Sequence, residues 1–150
     1  MVWNETLSES FYPKAMSLKI EYLTPLLQVF NMPRSLAFFR DVLGFTIVSD
    51  SGNGDESSWV WIQKDGCHLM LNDQYEPDSV PSECPPARIR WHKDTCLYLG
   101  CRDVESAYRF LRDRGLFVEP PTTAPYGMRQ LYLIDPDGYN ICFQESVDYG

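Results

Sequence analysis

Few side chains in this chain can move protons or hold a metal. The 150 residues include 2 histidines, His68 and His92, and 5 cysteines, Cys67, Cys84, Cys96, Cys101 and Cys142. Cys67 and His68 are adjacent in an extended segment, so they point to opposite faces and the imidazole cannot activate that thiol directly. Neither histidine sits in a nucleophile motif. His68 is left as a candidate general base or ligand hydrogen-bonder, because imidazole titrates near neutrality. Trp59 and Trp61 share one strand face, Tyr75, Trp91, Tyr98 and Tyr126 are expected near the rim of a cleft, and such rings suit flat or cationic ligands. The two tryptophans equally suit a core or a dimer contact.

Other chemistry is excluded more simply. Gly52-Asn53-Gly54 has no following Lys-Ser/Thr and reads as a turn, not a phosphate loop. A net charge of -8 argues against nucleic acid, whose binding is driven by Lys and Arg releasing counterions. The same acidity tolerates cationic small molecules, or serves solubility alone. No apolar stretch approaches the roughly 20 residues that span a bilayer, so no membrane role is expected. Met1-Val-Trp-Asn-Glu5 shows no basic patch followed by an apolar run, so no signal peptide is read. An odd number of cysteines without CxxC spacing fits free thiols in a reducing cytoplasm.

The elements that position these residues are written twice. Leu26-Leu27-Gln28-Val29 reads as a strand, Asn31 as an N-cap, and Pro33–Leu43 as a helix whose buried face is Leu36, Phe39 and Leu43. Gly44 stands where a left-handed stop is needed. The later copy has the strand Cys96–Leu99, the cap Asp103, a helix face of Val104, Ala107, Tyr108 and Leu111, and the stop Gly115. The caps lie 72 residues apart and the stops 71, so the second helix is one residue shorter. Hairpins follow in both copies: Ser57–Gln63 and Cys67–Leu71 around Lys64-Asp65-Gly66, then Met128–Ile134 and Tyr139–Phe143 around Asp135–Gly138. The proline-bearing stretch from Glu76 to Asp94 reads as a linker. Expected limits are an extension over 1–20, a first module over 21–75, a linker over 76–94 and a second module over 95–147.

The stretch Asn31–Phe45 and the stretch Tyr126–Asn140 resemble the first helix and last hairpin of the glyoxalase/bleomycin-resistance/dioxygenase (vicinal oxygen chelate) superfamily. The resemblance covers roughly Tyr22 to Glu145. It implies an α+β fold of tandem βαβββ modules, a curled mixed sheet around a cleft with helices outside, and commonly a homodimer. Strand phase agrees with a cleft. Leu27 and Val29 alternate with Gln28, and Leu69 and Leu71 with His68, Met70 and Asn72. Leu97 and Leu99 alternate with Cys96 and Tyr98, and Ile141 and Phe143 with Asn140, Cys142 and Gln144. The candidate ligand-binding set is therefore Thr24, Gln28, Trp59, Trp61, His68, Met70, Asn72, Cys96, Tyr98, Asn140 and Cys142.

In metal-dependent members of that superfamily four ligands, usually His and Glu, come from the first and fourth strand of each copy. Matched by the flanking motifs, those positions are Thr24, Met70, Cys96 and Cys142. None is His, Asp or Glu, so neither a metal nor a cofactor is expected, and a metal-dependent glyoxalase or extradiol dioxygenase is disfavoured. Cys96, Cys142 and Met70 as a soft Cu(I) or Zn(II) site is the alternative to their packing as small apolar groups. A Cys96–Cys142 disulfide is a further alternative that a cytosolic setting disfavours. The expected function is metal-independent binding of an aromatic or cationic small molecule, as in bleomycin-resistance proteins. The alternatives are a lyase, isomerase, hydrolase or dioxygenase-like enzyme using His68 with Tyr98 or Gln28, or action through a partner held by the N-terminal extension.

Overall fold

In the computed structural model, which describes residues 16–146, the duplication appears as two sheets of four strands each. The first sheet contains β1 (Leu26–Val29), β2 (Thr46–Asp50), β3 (Trp59–Lys64) and β4 (Cys67–Asp73), in the order β1-β4-β3-β2. The second contains β5 (Cys96–Gly100), β6 (Thr122–Thr123), β7 (Met128–Ile134) and β8 (Asn140–Ser146), in the order β5-β8-β7-β6. Each first strand runs parallel to its fourth, and the remaining pairs are antiparallel. The curled sheet expected from the sequence is thus two open sheets. Residues 1–15 of the expected extension and the end of the second module beyond Ser146 lie outside the described residues.

The alternation of the strands decides which face each buries. Leu27, Val29, Leu69, Leu71 and Ile141 are buried under the helices, whereas Gln28 and His68 are exposed. Burying one such aliphatic side chain contributes about 1.5–3 kcal/mol. Cys142 departs from the pattern: it lies on the mixed face yet is fully buried.

Both helices start as the caps require. Asn31 accepts the Arg34 N–H at 2.9 Å, and Asp103 accepts the Ser106 N–H at 3.0 Å. The second helix, α3 (Val104–Asp113), is regular throughout. The first is not: α1 (Met32–Leu36) passes into a π-helical turn over Ala37–Val42. The Leu43 N–H there reaches back five residues to the Phe38 carbonyl at 3.0 Å. This corrects the plain helix expected over Pro33–Leu43, and it accounts for the extra residue of the first copy, since a single insertion in a helix is absorbed as a π turn. The wider turn brings consecutive residues Phe38 and Phe39 inward, edge to face at 5.0 Å. Phe39 in turn meets Phe45 at 5.9 Å.

The proline-bearing stretch contains a short helix, α2 (Ala87–Trp91), and buries Arg88 completely. Arg88 Nε donates to Asp137 Oδ1 at 2.7 Å and Nη2 to the Gln28 carbonyl at 2.8 Å. Asp137 also accepts from the Phe30 N–H at 2.9 Å and the Ser35 hydroxyl at 3.2 Å. One carboxylate therefore ties the β1–α1 corner, α2 and the β7–β8 turn together. In that turn Gly138 has φ 90, and a Cβ there would come within 2.5 Å of the Ile89 Cα. Asp135 Oδ1 accepts the N–H groups of Asp137 and Tyr139 at 2.9 and 2.8 Å, while its Oδ2 is buried without a partner. Burial pushes the Asp135 carboxyl up to about 7.

Ahead of β1, residues Met16, Leu18, Ile20, Tyr22 and Leu23 expose their side chains. Among the described residues no helix is long and apolar enough to cross a membrane, and all 5 cysteines are free.

Candidate functional site

A cavity of about 690 Å³ opens between the two sheets. The lead into β1 supplies Tyr22, Leu23, Thr24 and Pro25, and the π turn and its exit supply Phe39 and Phe45. The β3–β4 hairpin adds Trp61, Gly66, Cys67, His68 and Leu69, and the second module adds Cys96 to Leu99 and Ile141. Among the described residues, no Asp, Glu, Lys or Arg is in this wall.

Five expected site residues meet here: Thr24, Trp61, His68, Cys96 and Tyr98. The other six lie outside the wall. Gln28, Asn72 and Trp59 pair in one row further along the first sheet, and Met70 pairs with Leu26 and Trp61. Asn140 Nδ2 donates to the Lys93 carbonyl at 2.8 Å, and the Cys142 thiol donates to the Phe143 carbonyl at 3.7 Å.

Trp61 and His68 form the polar corner of the first module. The tryptophan Nε1–H points to His68 Nδ1 at 3.0 Å. Their rings lie 5.5 Å apart. The β3–β4 register produces this pair, because His68 sits opposite Gln63 and Trp61 opposite Met70 on the same face. The tight turn that fixes the register uses Asp65 at φ 49 and Gly66 at φ 80, the two positive values of a type I′ hairpin.

The second module presents a chain of hydrogen bonds that the strand phase alone did not identify. Tyr132 donates to Gln130 Oε1 at 3.2 Å, so its contact with the Tyr98 hydroxyl at 3.4 Å is one in which Tyr98 donates. Gln130 Nε2 continues to the Tyr126 hydroxyl at 2.8 Å and to Gln144 Oε1 at 3.4 Å. The available signal was the repeat itself: Tyr132 faces Cys142 as Trp61 faces Met70.

The four positions matched to metal ligands do not fit a hard divalent ion. Thr24 and Cys96 line the cavity, and Met70 and Cys142 do not. Burial raises both the Cys96 and Cys142 thiols, which opposes the thiolates a soft ion requires. Among the described residues no three His, Cys, Asp or Glu side chains group as a metal set. His92 serves structure: it stacks on Tyr139 at 4.0 Å, with Nδ1 2.7 Å from the Asp137 carbonyl.

Comparison with known proteins now bears on this geometry. The family model for the Glyoxalase/Bleomycin resistance protein/Dioxygenase superfamily matches residues 19–143. TnmS3, an antibiotic binding protein from Streptomyces sp. CB03234, is similar at 22% identity and a TM-score of 0.64, over 87% of this chain and 99% of that one. A glyoxalase/bleomycin resistance protein/dioxygenase from Nocardioides is similar at 19% identity and 0.69, over 94% and 93%. TioX from Micromonospora sp. ML1 is similar at 17% identity and 0.65, over 83% and 98%. At these identities the likeness is one of fold. No curated protein matches the sequence.

Proposed function

We propose a function from one premise: the chain belongs to the Glyoxalase/Bleomycin resistance protein/Dioxygenase superfamily. Within it, this protein is a metal-independent binder that takes an aromatic small molecule between its two sheets. The observation that carries this reading is a cavity of about 690 Å³ whose wall, among the described residues, is mostly rings and aliphatic groups and has no Asp, Glu, Lys or Arg. Ligand pockets commonly fall at roughly 300–1,000 Å³ and combine apolar walls with a few polar groups. Of the two ligand chemistries expected, the aromatic one fits better, because the wall has no carboxylate to neutralise a cation. The antibiotic-binding description of TnmS3 supports a small-molecule ligand.

An isomerase or lyase needs a base to take a proton from its substrate. Among the described residues the wall holds no carboxylate or lysine, and the His68 Nδ1 lone pair is occupied by the Trp61 N–H. Binding is therefore the better use of these residues. The protein acts as a homodimer in which a second copy covers Leu26, Tyr98, Tyr132 and Ile134, which are exposed on the inner faces of the two sheets. Free thiols fit a reducing compartment.

Thermal-shift titration of chelator-treated protein with a panel of flat aromatic compounds tests the proposal. Saturable stabilisation that is indifferent to added divalent ions is expected. No stabilisation by any compound, or stabilisation only with a metal present, would overturn it. Native mass spectrometry checks the dimer.

A further inference from the structure

Each histidine is held at Nδ1, and the two holds run in opposite directions. His92 Nδ1 faces the Asp137 carbonyl, which only accepts, so that nitrogen carries hydrogen. His68 Nδ1 faces the Trp61 indole N–H, which only donates, so that nitrogen must offer its lone pair. The neutral His68 ring therefore carries its hydrogen on Nε2. Because His68 lines the cavity, this sets one polar demand on whatever enters: an N–H that needs an acceptor.

Water meets that demand while the cavity is open. A ligand that displaces the water without replacing its hydrogen bond loses affinity, and one that brings an acceptor keeps it. A cationic group fares worst, since it meets a donor and, among the described residues, finds no carboxylate in the wall. We infer that the cavity selects uncharged, flat aromatic molecules bearing a carbonyl-type oxygen, which His68 Nε2–H binds while Trp61, through its indole N–H, holds the imidazole in that tautomer. The inference rests on the binding reading above and specifies its ligand class. Trp61 is a positioning residue in this respect as well as a wall.

Three probes of one shape separate the possibilities: 2-acetylnaphthalene, 2-ethylnaphthalene and the 2-naphthylmethylammonium ion. The acetyl compound is expected to bind about five- to tenfold more tightly than the ethyl compound, the value of one hydrogen bond, with the ammonium ion weakest. His68→Phe is expected to bring the acetyl and ethyl probes to equal affinity. Nitrogen-15 spectra of the imidazole should show hydrogen on Nε2 in the wild type and a mixture of tautomers in Trp61→Phe. Equal binding of acetyl and ethyl probes, tightest binding of the ammonium ion, or hydrogen on His68 Nδ1 would each overturn the inference and leave the binding reading standing. Failure of all three probes at millimolar concentration would sink the binding reading, and the inference with it.

Discussion

The inner faces of the two sheets share one backbone plan and differ at almost every side chain. Where the first sheet sets Leu26, Met70 and Trp61 in a row, the second sets Tyr98, Cys142 and Tyr132. One row along, Gln28, Asn72 and Trp59 become Gly100, Gln144 and Gln130. At the cavity the first face makes the bond from Trp61 to His68 and is left with an N–H donor. On the second face the bonds run outward from Tyr98 through Tyr132 to Gln130, so Tyr98 spends its hydrogen and keeps an oxygen lone pair at the cavity. The helix-side faces, by contrast, are apolar in both copies, aliphatic at most positions with Phe143 in the second. Packing constrains the buried face of a duplicated sheet, and the open face is free to acquire different chemistry on each side of one cavity.

The sharpest way to break the comparison is at the junction that holds the modules together. Asp137→Ala strands the buried Arg88 guanidinium, whose Nη1 already lacks a partner. A loss of about 3–5 kcal/mol is expected in denaturant unfolding. Arg88→Met with Asp137→Leu should recover much of it, because both charges are then gone. The two hairpin glycines form a matched pair. Gly138→Ala drives a Cβ into the backbone of Ile89, whereas Gly66→Ala, at φ 80, meets nothing within 4 Å. About 3 kcal/mol is expected for the first and about 1 kcal/mol for the second, the ordinary strain of a left-handed residue.

A smaller effect follows from Asp135, whose carboxyl is raised from 3.8 to about 7 by burial. The folded state then binds a proton that the unfolded state has released. Its contribution to stability is complete below about pH 4 and is lost as pH rises through about 7. Asp135→Asn should flatten that part of the unfolding profile relative to wild type, and an unchanged slope would assign it to other groups. Smallest is Tyr98→Phe, which ends the second module's hydrogen-bond chain at Tyr132. Stability should fall by less than about 1 kcal/mol, and ligands bearing a hydroxyl donor should lose about threefold in affinity while acetyl probes do not.

Much of the fold was legible from the spacing of Asn31 and Asp103, whose side chains cap their helices as the motif requires. The one-residue mismatch between the helices was visible too, but its form was not, since periodicity registers an extra residue without saying whether it widens a turn. Arg88 was hidden for another reason. A helix of five residues is too short to show a period, and its burial depends on Asp137, 49 positions away. At the site, a period of two assigned His68 and Tyr98 to the correct face, but phase along a strand does not locate the level at which two sheets meet. Thr24 and Cys96 consequently lie in the wall while Met70 and Cys142 do not. Phe39 was read as core, and both it and Phe45 lie in the core and also line the cavity.

Chemical-shift mapping with 2-acetylnaphthalene tests the central claim of a shared cavity most directly. Saturable shifts are expected at Trp61 and His68 from one sheet together with Cys96 and Tyr98 from the other. Shifts confined to one sheet, or falling on the outer helices instead, would contradict it.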